Sequence, residues 1–101
     1  MSKLKREIKK FASFCAYCDY FFTSYEEKTI DHIIPRIKQG KSKISNMVCC
    51  CEKCNRDKAD KDLKEFINKD RLNRLFIYID MMRKFPNYYA DRVFKKVIEI
   101  I

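Results

Sequence analysis

The sequence predicts a small α+β domain clamped by a four-cysteine zinc site. Three observations predict it. Two Cys-x-x-Cys pairs, Cys15/Cys18 and Cys51/Cys54, lie far apart in a chain that has six cysteines. Between them, aromatic and β-branched runs read as short strands. Before the first pair and after the second, apolar residues recur at helical spacing. A chain of 101 residues is expected to form one domain over 1–101, with a core over 15–58 and a helical extension over 62–101.

Residues 3–14 carry Leu4, Ile8, Phe11 and Phe14 on one helical face, with Lys3, Lys5, Arg6, Lys9 and Lys10 around them. That face is either a helix laid along a phosphate backbone or an ordinary amphipathic helix with a solvated charged side. Asp19–Thr23 and Lys28–Ile34 read as two strands joined by a turn at Ser24–Glu27, with Pro35 closing the second. Residues 36–45 surround the only glycine and read as a basic loop. Asn46 precedes a brief apolar run into Cys51, and Asn55–Lys58 begin or extend a short helix. Beyond Asp62, Leu63, Phe66 and Ile67 form a short apolar face, and Leu72, Leu75, Phe76, Ile79, Met82 and Phe85 a longer one. Pro86 suits the first turn of a last helix, along which Tyr89, Val93, Phe94, Val97, Ile98 and Ile101 repeat the spacing. These stripes read as packing surface; the alternative is a homodimer interface, since the apolar load is high for so small a chain.

The formal net charge is +9, with basic residues along the whole length. That implies a polyanionic partner, nucleic acid first and an anionic membrane surface second. No apolar run reaches the length of a membrane span, and the N-terminal stretch is charged where a signal peptide is apolar. An intracellular protein is expected, whose cysteines are thiolate ligands rather than disulfides.

Two thiolates two residues apart let one tight turn aim both sulfurs at one ion, and a tetrahedral structural zinc site takes two such turns. Only Cys15/Cys18 and Cys51/Cys54 offer that spacing. Cys49 and Cys50 read as small apolar residues, the alternatives being a substitute ligand or an oxidation-prone thiol. Four thiolates leave zinc no open position, so its role is to hold the segment between the pairs, including the only histidine, His32. Phosphodiester cleavage needs a base to activate water and a divalent cation with oxygen ligands. Imidazole suits the base at neutral pH; Asp31 and an asparagine carbonyl suit a hard cation such as Mg²⁺. Adjacent strand residues point to opposite faces, so Asp31 and His32 can share a site only where the strand ends or is irregular.

Residues 15–58 resemble an HNH endonuclease of the zinc-containing, ββα-metal type. The residues that carry the resemblance are Cys15-x-x-Cys18, the DHIIP run at Asp31–Pro35, Asn46 followed by Val48, and Cys51-x-x-Cys54-Asn55 with Lys58. The resemblance implies His32 as the general base that activates water, and Asp31 and Asn55 as ligands of a catalytic divalent ion, Mg²⁺ or Mn²⁺. It implies Asn46 as the residue that orders the loop and helps orient the histidine, which makes the chain an HNN variant. Lys58 falls where a basic residue commonly follows and is a candidate phosphate contact, together with Arg36, Lys38, Lys41, Lys43 and Arg56. Ala59 stands where the family often has glycine. Products in such enzymes carry a 5′-phosphate and a 3′-hydroxyl.

The function expected is therefore a metal-dependent DNA endonuclease of low intrinsic sequence specificity, nicking as a monomer and cutting both strands through a dimer or successive nicks. Specificity is expected to come from a protein partner if it exists. The resemblance also implies a phage or mobile-element setting, in the cytoplasm of a bacterial or phage-infected cell. The alternatives are a non-catalytic zinc module that binds nucleic acid by charge and a zinc-stabilised protein adaptor that uses the C-terminal helices.

Overall fold

A computed structural model of the chain describes residues 3–101; Met1 and Ser2, part of the charged N-terminal stretch, lie outside the described residues. Helix α1 spans Lys3–Phe11. It stops three residues short of the expected Phe14 because the backbone beyond it is drawn into the first zinc turn. Cys15 N–H donates to Tyr20 O (2.9 Å), Phe22 N–H donates to Ser13 O (3.0 Å), and Phe14 bridges Phe21.

That bridge is all that forms of the strand expected over Asp19–Thr23. From Thr23 onward the backbone donors go to a side chain instead of a ladder. Glu27 Oε2 accepts from Thr23 N–H (2.6 Å) and Ser24 N–H (3.2 Å), and Tyr20 OH donates to Glu27 Oε1. The carboxylate so engaged is held down to about 2, first by the Tyr20 hydroxyl and then by the Thr23 amide. A 3-10 turn at Tyr25–Glu27 then delivers the chain into β1, Lys28–His32.

The partner of β1 is β2, Met47–Cys51, antiparallel with Asp31 opposite Val48 and His32 opposite Met47. The apolar run before the second cysteine pair is thus the second strand. β1 ends at His32 rather than Ile34, because Ile34 N–H is taken by Asn46 Oδ1 (2.8 Å) and Pro35 follows. Two 3-10 turns, Arg36–Lys38 and Ile44–Asn46, punctuate the expected loop. Gly40 is obligatory there, since a Cβ would stand 1.7 Å from Ile34 O.

Helix α2, Glu52–Lys58, completes a ββα unit. Its end is strained: Ala59 sits at φ 46°, ψ −126°, a conformation suited to glycine. Helices α3 (Leu63–Phe66), α4 (Lys69–Met81) and α5 (Tyr89–Ile100) follow. Pro86 does not start α5, because Asn87 and Tyr88 adopt positive φ (64° and 55°), which no helical first turn contains. Of the last stripe, Tyr89, Val93 and Val97 are buried, while Phe94, Ile98 and Ile101 stay substantially exposed.

The two-stranded sheet keeps no bare edge at the site. Residues 30/49 and 32/47 are non-hydrogen-bonded pairs, so their backbone groups point away from the partner strand. On the β2 side, Tyr89 OH donates to Met47 O (2.6 Å) and Cys49 N–H donates to Tyr78 Oη (3.0 Å). Tyr89's only proton is thereby committed, so Tyr78 donates to Tyr89 Oη (2.8 Å). Ala16 N–H takes Cys49 O (3.0 Å). On the β1 side, α2 supplies Asn55 and Lys58 to the outward carbonyls of Ile30 and His32 (3.5 and 2.9 Å). The result is an α+β fold in which a two-stranded hairpin sits between the cysteine cluster, α1, α2 and the C-terminal helices.

Candidate active site and zinc centre

The hairpin carries its two chemical stations at opposite ends. At the Cys51 end, one ligand atom from each of Cys15, Cys18, Cys51 and Cys54 lies within 4.8 Å of all the others. A zinc ion with bonds of about 2.3 Å needs sulfur–sulfur edges of about 3.8 Å, and Cys18 Sγ and Cys51 Sγ stand 3.8 Å apart. The residues fit a structural zinc. Amides converge on the cluster as well: Tyr17 N–H and Cys51 N–H donate to Cys15 Sγ, and Cys54 N–H to Cys51 Sγ. The Cys54 thiol, opposed by burial and helped by the Cys51 and Tyr17 amides, holds Cys15 down at about 5, a thiolate ready for a metal. Cys49 and Cys50 are fully buried outside the cluster. Burial pushes Cys49 up to about 12 and Cys50 well above the usual thiol range, so both remain neutral apolar packing.

At the His32 end, a cleft of about 200 Å³ is lined by Ile30, Asp31, His32, Pro35, Arg36, Asn55, Ala59 and Asp60. The end of β1 at His32 resolves the facing problem, since Asp31 and His32 reach the same cleft. His32 Nε2 is 3.0 Å from Ser42 Oγ. Partial burial, then the positive charges of Lys5, Arg36 and Lys58, hold the imidazole below its ordinary range, which favours the neutral base.

Asp31 is 4% exposed. Tyr17 OH donates to its Oδ2 (2.7 Å), and Lys58 Nζ lies 3.2 Å from each carboxylate oxygen. Burial raises its pKa against the pull of Lys58 and Tyr17. Asn55 Nδ2 donates to Thr29 Oγ1 (2.9 Å), so Oδ1 is the atom it can offer a cation. Asn46 is buried; its Nδ2 donates to Ile34 O (3.0 Å) and Lys41 O (2.9 Å) while its Oδ1 accepts from Ile34. It staples the turn after His32 to the loop that carries Ser42.

The candidate phosphate contacts divide. Arg36, Lys41, Lys43 and Arg56 are exposed. Lys38 is exposed too but pairs with Asp62 (3.2 Å) and Glu65 (3.7 Å). Lys58 is a correction: it is 0% exposed, with Nζ turned inward onto Asp31 and the His32 carbonyl. A buried ammonium is tolerable only when paired in this way, so it faces a carboxylate and cannot meet solvent phosphate.

Four cleft or supporting residues escape a reading of the sequence: Tyr17, Ser42, Asp60 and Lys5. Tyr17 lies between two zinc ligands, where only the turn geometry reveals that its hydroxyl reaches Asp31. Ser42 is one more polar residue between Lys41 and Lys43. Asp60 becomes part of the cleft through the abrupt turn at Ala59. Lys5 comes from α1, far away in sequence.

Residues 15–61 match the HNH endonuclease family. No curated protein matches the chain. Among solved structures, the crystal structure of the type II-C Cas9 enzyme from Actinomyces naeslundii is similar in fold, with a TM-score of 0.62 and 19% identity over 92% of this chain. The chain spans about 10% of that protein's length. The match to the HNH endonuclease family thus runs from the cysteine cluster to the turn after α2.

Proposed function

We propose that the protein is a metal-dependent endonuclease that hydrolyses phosphodiester bonds in DNA with low intrinsic sequence specificity. The observation that carries this reading is the meeting of His32, Asp31 and Asn55 in one cleft. A neutral imidazole accepts a proton from water, and its depressed pKa keeps it in that form at neutral pH. Ser42 holds the ring through Nε2, and the Asn46 staple fixes the loop that carries Ser42. Asp31 and Asn55 Oδ1 would hold a Mg²⁺ or Mn²⁺ ion, which supplies charge stabilisation at the phosphate when bound. Arg36, Lys41, Lys43 and Arg56 are the exposed cations placed to meet the backbone of DNA. With one cleft per chain, single-strand nicks are the expected product, and a duplex break takes two sites.

Supercoiled plasmid incubated with Mg²⁺ or Mn²⁺ should be nicked by the wild type and left intact by His32→Ala and by the wild type in excess EDTA. Equal background from wild type and His32→Ala under both metals would sink catalysis. A second reading has one observation in its favour. The Asp31 carboxylate is already engaged by Lys58 and Tyr17, as in a module that binds nucleic acid without cutting it. Salt-sensitive DNA binding with no cleavage under either metal would select that reading.

A further inference from the structure

Tyr17 sits between two cysteines of the zinc-fitting cluster, Cys15 and Cys18, yet its hydroxyl ends on the acid of the other station. The residue is 1% exposed, and both its backbone and its ring are fixed. Its N–H donates to Cys15 Sγ (3.3 Å), so the turn that the two cysteines frame sets its backbone. Its ring meets Phe66 edge-on, with centroids 5.1 Å apart and planes at 80°. Phe66 belongs to α3, beyond the family-matched residues 15–61. Arg71 holds Phe66 in turn: its guanidinium lies 4.1 Å from the ring centroid and donates to the Phe66 carbonyl (2.8 Å). From this fixed frame, Tyr17 OH donates to Asp31 Oδ2 (2.7 Å).

A free carboxylate rotates, and a hard cation is bound best where the oxygens already stand in place. At Asp31 two elements fix them, Tyr17 from the cysteine turn and Lys58 from the end of α2. Each carboxylate oxygen has room for about two partners. Among the described residues, Oδ2 meets both Tyr17 and Lys58 (2.7 and 3.2 Å), whereas Oδ1 meets Lys58 alone (3.2 Å). An acceptor position is therefore left on Oδ1, in a residue that lines the same cleft as Asn55. We propose that Tyr17 is a positioning residue for the divalent ion of the cleft. It locks the Asp31 carboxylate so that Oδ1 is the oxygen offered to the ion, and it ties that ligand to the cysteine turn and to α3. The proposal rests on the nuclease reading for the choice of Asp31 and Asn55 as ligands.

The test is a Mn²⁺ titration of the zinc-loaded full chain without DNA, followed by the electron paramagnetic resonance signal of the free ion. Tyr17→Phe keeps the ring on Phe66 and removes only the hydroxyl. It should raise the Kd for Mn²⁺ about tenfold or more while the zinc content stays that of the wild type. Asp31→Asn should weaken Mn²⁺ binding at least as much. Tyr20→Phe, the same change at a nearby hydroxyl that serves Glu27 instead, should leave the Kd alone. Four results overturn the positioning role: an unchanged Kd in Tyr17→Phe, a tighter one (the hydroxyl then shields the acid), loss of zinc from Tyr17→Phe (the hydroxyl then serves the fold), or no Mn²⁺ binding by the wild type. A wild-type Kd in Asp31→Asn overturns it as well. Absent cleavage with the Mn²⁺ shift intact overturns the nuclease reading and leaves the role of Tyr17 standing.

Discussion

His32 is set by its surroundings more than by its neighbours in sequence. Burial and three nearby cations disfavour the imidazolium, so the neutral base persists into more acid solution than an ordinary histidine allows. The acidic limb of a single-turnover pH–rate profile should therefore fall below pH 6.5, with activity rising with pH through it. Arg36→Gln, which removes one of those cations, should move the limb upward. A limb at or above 6.5 in the wild type would contradict the assignment of His32 as a base in this environment. The resemblance read from the sequence pointed to His32, Asp31, Asn46 and Asn55, and the structure brings His32, Asp31 and Asn55 to one cleft with Asn46 in the turn behind it. The sequence could not show that Lys58 is turned inward, since an ammonium three residues beyond Asn55 reads equally well as a surface cation. Only the burial of Asp31 beneath Tyr17 decides where that charge goes.

At the scale of elements, the hairpin meets the four-cysteine cluster, which fits a zinc ion, at one end and α2 at the other. A structural zinc is worth on the order of 10 kcal/mol, comparable with the whole stability of a small domain. The purified chain should carry one zinc, and its removal by a strong chelator should collapse the far-ultraviolet circular dichroism signal, with Cys15→Ser or Cys54→Ser behaving like the chelated protein. Cys49→Ser and Cys50→Ser should keep the zinc, because those sulfurs lie outside the cluster. Retention of full zinc content in Cys15→Ser would remove that cysteine from the ligand set. Spacing made the four-cysteine cluster legible, whereas strand pairing was misread: Asp19–Thr23 has the composition of a strand, but Glu27 claims the Thr23 amide and Ser13 O the Phe22 amide. Local propensity is a weak guide when a side chain competes for the same donors.

Across the whole molecule, the helical extension is joined to the two-stranded hairpin by two tyrosine hydroxyls. Tyr78 and Tyr89 satisfy the outward groups of Cys49 and Met47, which seals the sheet edge that would otherwise invite pairing with another chain. Tyr89→Phe leaves a buried carbonyl unpaired and should destabilise the fold by about 1–3 kcal/mol in urea titration. If the far end of the hairpin is held through this edge, the variant should also lose cleavage before it loses zinc. Unchanged stability would mean that water or a neighbouring group replaces the hydroxyl. Among the described residues, no helix is long and apolar enough to cross a membrane.

By itself, the sequence determined the chemistry: four thiolates at zinc spacing, one imidazole beside a carboxylate, an asparagine beside the last ligand, and helices flanking them. These depend on residue identity and short spacing, which a linear chain displays directly. Only the tertiary structure decided the pairing of β1 with β2, the inward turn of Lys58, the Tyr17–Asp31 contact and the meeting of His32 with Ser42. Each of these joins residues distant in sequence, and each was selected by the need to satisfy buried polar groups and pack one shared core. No local pattern encodes that requirement.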